Sequence, residues 1–252
     1  MPDGTRRATA PFGMAPVIER WQQRPRRTRE WRFPTWPRWR PIRWLRRTLQ
    51  SGWLFPMLRL GYRLEITGRE RVRGVKEPCL IVSNHNMHLD QSMLLRSLPD
   101  GFRQRVAIAA AASDIYGNRF RGFWASLLGN AFPFSKQGGG IRESLEYVAK
   151  MLDDGWNVLF FPEGKLTVIG PMRPFKAGIG LLARETGVPV LPMRIDVLRP
   201  GFYEGKWLPT PRAYVRVTIG EPVRVPPEMG LKEATRFLEA AVRDAGRETV
   251  PA

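Results

Sequence analysis

From Arg63 onward the chain alternates short apolar runs with segments of helical spacing. The runs Arg63–Ile66, Cys79–Ser83, Val106–Ala110, Ala131–Phe134, Val158–Phe161, Val190–Ile195 and Tyr214–Ile219 predict strands. Most are continuously apolar rather than alternating, the pattern of strands covered on both faces. Between them Ile141, Leu145, Val148 and Leu152 share one face of a predicted helix ending at Asp153. Gly138, Gly139 and Gly140 open that helix, and Gly155 follows it. Further helices are predicted from about Asp90 to before Pro99, and over Arg119–Leu128, Lys176–Glu185 and Leu231–Ala245. This order predicts an α/β fold, a mixed and mostly parallel sheet flanked by helices.

Upstream the pattern changes. Residues 1–41 carry Pro11, Pro16, Pro25, Pro34, Pro37 and Pro41 among arginines and tryptophans, which predicts a basic, flexible segment. Residues 42–62 predict an interfacial docking helix or helix pair, and residues 63–252 the α/β domain. No stretch approaches the roughly 20 apolar residues that span a bilayer. Trp44 to Tyr62 comes nearest, but Arg46, Arg47 and Arg59 interrupt it and Pro56 bends it. Such a helix is expected to lie in the membrane interface rather than cross it.

Charge sharpens this picture. The chain of 252 residues has 41 Lys and Arg against 23 Asp and Glu, a net of +18. Residues 1–49 hold thirteen arginines against Asp3, Glu19 and Glu30, more than half of that excess. An anionic partner follows, and charge alone admits either nucleic acid or an anionic membrane surface. An arginine-rich, acid-poor start would also suit an organelle transit segment. Trp21, Trp31, Trp36, Trp39, Trp44 and Trp53 share the region, and tryptophan favours the lipid headgroup layer. A membrane surface is therefore the expected partner and nucleic acid is not. The expected location is peripheral, on the cytoplasmic face.

The chemistry concentrates in one segment. Both histidines fall in Ser83-Asn84-His85-Asn86-Met87-His88-Leu89-Asp90, where a predicted strand gives way to a helix. Ligands of α/β sheets bind at the carboxyl ends of strands. Five residues across such a turn can put the Asp90 carboxylate on one imidazole nitrogen of His85 and leave the other facing substrate. With no nucleophile of its own in the segment, the pair suits direct deprotonation of a substrate hydroxyl. His85 and His88 could begin a metal site, but no third ligand is evident, and neither metal nor cofactor is expected. The single Cys79 excludes an internal disulfide, and no G-x-S-x-G marks a serine hydrolase.

Four blocks in order carry a resemblance. Asn84-His85-x-x-x-x-Asp90 resembles the N-H-x-x-x-x-D motif of the lysophospholipid, or 1-acylglycerol-3-phosphate, acyltransferase family within the glycerolipid acyltransferases. Phe161-Pro162-Glu163-Gly164 resembles its F-P-E-G block and Val188-Pro189-Val190-Leu191-Pro192 its V-P-[VI]-x-P block. Ala131 to Lys136 occupies the place of a block that ends in a basic residue, and Gly220-Glu221-Pro222 matches the closing segment. The resemblance implies His85 as general base on an acceptor hydroxyl, oriented by Asp90, with an acyl thioester of coenzyme A or acyl carrier protein as co-substrate. It implies a lyso-lipid acceptor met by Asn84, Lys136, Glu163, Gly164, Lys165, Arg173 and Lys176. The sequence departs from the pattern at His88, where the family commonly has Ser or Thr, and at Lys136, usually Arg. It departs again at Lys165-Leu166-Thr167, where Thr and then a basic residue usually follow the glycine. Glycolipid, amino-lipid or other alcohol acceptors would serve the same base. A non-catalytic protein binding an anionic surface is the reading from another class. An acyl-chain channel is expected from Phe120, Phe123, Trp124 and Leu127.

Overall fold

The computed structural model describes residues 32–135, 140–167, 171–199 and 213–247. Seven strands form one sheet: β1 (Tyr62–Thr67), β2 (Leu80–Ser83), β3 (Val106–Ala111), β4 (Ala131–Phe134), β5 (Asn157–Phe160), β6 (Val190–Arg199) and β7 (Ala213–Ile219). Their order is β1-β7-β6-β2-β5-β3-β4. β2 is central and parallel to both β5 and β6, and β3 and β4 continue in that direction. β7 runs antiparallel to β6, and β1 pairs with it in parallel. The expected mixed, mostly parallel sheet is thus formed, and the carboxyl ends of β6, β2 and β5 meet along one edge.

Burial explains why β2 reads as an unbroken apolar run. Leu80, Ile81 and Val82 have no exposed surface, because helices cover both faces. On one face Ile81, Leu159, Met193 and Val215 pack with Met93 and Leu94 of the helix Asp90–Ser97, and with Phe55 and Leu58 from the N-terminal region. On the other, Leu80, Val158 and Val190 pack with Val148, Leu152, Leu182, Leu238 and Val242. The helices in chain order are α1 (Arg40–Leu49), α2 (Phe55–Gly61), α3 (Asp90–Ser97), α4 (Asp100–Arg103), α5 (Ala112–Ile115), α6 (Arg119–Gly129), α7 (Gly140–Asp153), α8 (Gly178–Thr186) and α9 (Leu231–Arg247). A π-helical stretch, Gln50–Leu54, joins α1 to α2. Asn118 caps α6 by accepting from the Phe120 and Arg121 amides, and Asn130 ends it in the left-handed conformation.

Three expectations are corrected here. The segment predicted to be flexible through residue 41 is packed from Phe33, whose ring stacks on Tyr147 at 4.0 Å. Arg46 does not reach outward: it is 2% exposed, its Nε donates to the Leu127 carbonyl at 2.8 Å, and a terminal nitrogen donates to the Pro37 carbonyl. Burial, then the charges of Arg43 and Arg38, lower its pKa to about 10. Arg46 is therefore a brace that fastens α1 to α6. The aromatic residues of α6 do not line a channel either, since Phe120, Phe123 and Trp124 lie exposed on the outer surface while Leu127 is buried. With them on that surface stand Trp39, Trp44, Trp53, Met57 and Leu60, the last 83% exposed. No described helix is long and apolar enough to cross a membrane.

Candidate active site

The site is built at the carboxyl edge of β2, on the turn from Asn84 to Leu89 that leads into α3. Asn84, 1% exposed, fixes this turn to the neighbouring strand: its Nδ2 donates to the Ile195 carbonyl at 2.8 Å, and its Oδ1 accepts from the Ile195 amide at 2.9 Å. Asn86 Nδ2 adds a bond to the same carbonyl at 3.0 Å. The turn is thereby tied to β6 on either side of His85.

Asp90 opens α3 with no exposed surface. Its Oδ2 accepts the Asn86 amide at 2.6 Å and the Met87 amide at 3.1 Å, and lies 2.9 Å from His85 Nδ1. Two backbone donors aimed at that oxygen mark it as an acceptor, so Nδ1 carries the proton and Nε2 keeps a free lone pair. Burial pushes the Asp90 carboxyl above its ordinary range, while the bond from His85 and the two amides oppose this. The predicted pair is formed, and the His85 ring, 26% exposed, lies stacked on Phe161 with centroids 4.5 Å apart. An imidazole so held can take a proton from an approaching hydroxyl, and its partner carboxylate stabilises the cation that results.

Glu163 enters from β5. It is 4% exposed, and all its contacts are internal. Oε1 accepts the His85 amide at 2.8 Å, while Oε2 accepts the Arg173 amide at 2.9 Å and the Thr167 hydroxyl at 3.0 Å. The Thr167 amide in turn donates to the His85 carbonyl at 2.8 Å. Asn84 and Glu163 were expected to meet the acceptor; both are buried, Asn84 bonded to the Ile195 backbone and Glu163 to the His85 and Arg173 amides and the Thr167 hydroxyl, and they hold the His85 turn. A carboxylate suits this position because it supplies two acceptors to three converging donors. Gly164 follows at φ +72°, a left-handed conformation that favours glycine, with the mobile end of the Lys176 side chain close by.

Lys165, Arg173 and Lys176 are exposed around this turn. Lys136 and the glycines at 138 and 139 lie outside the described residues. His88 is exposed and does not join His85, and no metal-ligating cluster occurs among the described residues. Thr167 and Phe161 are the residues that sequence reasoning passed over. Both stood in or beside the F-P-E-G block, but their contacts with His85, some eighty positions away, gave no signal along the chain.

The chain is similar to known acyltransferases. The family model described as Acyltransferase matches residues 63–196. A chloroplastic 1-acyl-sn-glycerol-3-phosphate acyltransferase of Brassica napus is 29% identical over 169 residues, covering 64% of this chain and 45% of the relative. The chain thus spans about half the length of that relative. A lyso-ornithine lipid O-acyltransferase of Pseudomonas aeruginosa is 28% identical over 216 residues, 79% of this chain and 78% of the relative. Among solved structures, the 1-acyl-sn-glycerophosphate acyltransferase PlsC of Thermotoga maritima shares the fold, with a TM-score of 0.58 at 21% identity over 84% of this chain and 80% of that one.

Proposed function

Given that the chain belongs to the acyltransferase family, we propose that it moves a fatty acyl group from an acyl thioester to the hydroxyl of a lyso-lipid at a membrane surface. The observation that carries this reading is the His85–Asp90 pair, with Nε2 free at the carboxyl edge of the sheet. In the proposed step Nε2 accepts the acceptor's hydroxyl proton as the oxygen attacks the thioester carbonyl. The tetrahedral intermediate then expels the thiolate, which takes the proton back from the imidazolium. Asp90 keeps Nδ1 protonated throughout and stabilises that cation. No covalent acyl-enzyme is required.

The acceptor headgroup is proposed to meet Gly164, Lys165, Arg173 and Lys176, and Lys136 is proposed to bind it as well. The exposed Trp39, Trp44, Trp53, Met57 and Leu60, with Arg40, Arg47 and Arg59 also exposed, support docking on an anionic bilayer, and the cytoplasmic face is the proposed one. A second acceptor reading has its own support. One relative matched over 78% of its own length is named for a lyso-ornithine lipid, an amino-lipid, and Leu166 stands where the family usually carries a basic residue.

Transfer of labelled acyl groups from acyl-CoA, and separately from acyl carrier protein, to lysophosphatidate and lyso-ornithine lipid in micelles tests the proposal. Wild type should transfer, and His85→Ala should lose activity by at least about 10³-fold, general-base and positioning contributions together. Full activity in a folded His85→Ala protein would remove the base and with it the mechanism.

A further inference from the structure

A cavity of about 560 Å³ opens beside the His85 turn, with Asn84, Asn86 and Thr167 in its lining. Its wall carries four guanidinium groups, Arg194 from β6, Arg216 from β7, and Arg243 and Arg247 from α9, against one carboxylate, Asp196. The arginines are fixed rather than free. Arg194 Nε donates to Asp196, Arg216 Nε to Glu65 with the Tyr214 hydroxyl also against its guanidinium, Arg243 to Glu239 and Arg247 to Asp244. A guanidinium has five N–H donors, so each arginine is oriented through one edge and keeps others for a ligand. Arg194 and Arg216 are about one-fifth exposed and form the floor, while Arg243 and Arg247 form an open rim.

Gly246 adds an independent observation. It is the next-to-last residue of α9 (Leu231–Arg247), beside Arg194. A Cβ there would stand 2.5 Å from Arg194 Cδ and 2.6 Å from its Nε. The missing side chain therefore leaves room for Arg194 to pass the end of α9 on its way to the cavity.

The side of the sheet names the visitor. Arg194 and Arg216 alternate with Ile195 and Val215, which face the core beneath the N-terminal helices, so they point to the α9 face instead. The exposed tryptophans and Leu60 belong to the opposite, N-terminal layer. A lipid would arrive from that layer, whereas a ligand of the arginine cavity comes from water. We infer that this cavity is a phosphate-binding subsite for the acyl donor, holding the phosphates at the far end of a pantetheine arm whose thioester reaches over Asn86 to His85. The identity of the ligand rests on the acyl-transfer reading; coenzyme A and carrier protein share this phosphate.

The test uses the full chain and two readouts. Calorimetric titration with coenzyme A should show binding to wild type, and binding about tenfold or more weaker for Arg194→Gln and Arg216→Gln, the worth of one charge-assisted contact. Steady-state assays should show a matching rise in KM for acyl-CoA, with KM for acyl-pantetheine, which lacks phosphate, and for the lyso-lipid unchanged. If the carrier protein is the donor, its KM rises in the same variants. Gly246→Ala keeps every charge, so weaker coenzyme A binding with an undiminished melting temperature cannot be attributed to unfolding. Coenzyme A that fails to bind wild type, binding indifferent to all three substitutions, or a rise confined to the lyso-lipid KM would each overturn the subsite. Arginine-dependent coenzyme A binding without transfer to any lyso-lipid would keep the subsite and sink the transfer reading instead.

Discussion

Replacing Glu163 by Gln changes one atom in a place where three donors converge. His85 N–H points at Oε1 from 2.8 Å, and Arg173 N–H and Thr167 O–H point at Oε2 from 2.9 and 3.0 Å. Glutamine offers one acceptor and one NH2 group. With its oxygen toward His85, the NH2 faces the Arg173 amide; with the amide flipped, it faces the His85 amide. The Thr167 hydroxyl can rotate to accept, but one backbone N–H is left against a donor in either case. A charge-assisted bond lost, together with a buried N–H left unpaired, amounts to about 3 kcal/mol. For a domain of this size that corresponds to a fall in melting temperature of about 6–12 °C. The turn that loses its anchor carries the base, so kcat should drop at least tenfold while KM for the acceptor stays near the wild-type value. Differential scanning calorimetry and steady-state kinetics on Glu163→Gln measure both. A wild-type melting temperature with an acceptor KM raised at constant kcat would refute the reasoning, because it would place Glu163 against the substrate and not beneath His85.

Other substitutions probe separate links. Gly164→Ala combines φ +72° with a contact of 2.8 Å to Lys176 Cε, and should destabilise by more than about 1 kcal/mol in urea unfolding. An unchanged midpoint would show that the turn adapts. Trp44→Ala with Leu60→Ala removes side chains that are 68% and 83% exposed; the melting temperature should hold while co-sedimentation with anionic vesicles falls several-fold. Undiminished sedimentation would move the docking surface elsewhere. Burial pushes the Cys79 thiol up, so the native protein should resist thiol reagents that label the unfolded chain at once. The unfolded thiol ionises first, so stability should decline as pH rises past the ordinary thiol range, and Cys79→Ala should remove that share of the decline in denaturant titrations.

The sequence by itself determined what depends on neighbours along the chain. Leu80-Ile81-Val82 had to be a buried central strand, because nothing in it could face water, and an apolar strand entering a helix five residues after His85 brought Asp90 onto its Nδ1. Spacing sufficed there because a turn and the first turn of a helix are local structures. Tertiary structure decided the rest. Glu163, read as a residue that touches the acceptor, is a buried anchor, since the backbone groups that claim its oxygens come from His85, 78 positions away, and from the loop through Arg173. Arg46, one of thirteen arginines counted toward the lipid surface, is turned inward by two carbonyls of segments that sequence does not bring together. The arginine cavity needs β6, β7 and the end of α9 at once, and only the antiparallel return of β7 beside β6 places Arg194 and Arg216 on one face. Charge counts are blind to direction. A side chain's direction is set by the strand register and by the helix packed against it, and those exist only once the sheet has closed.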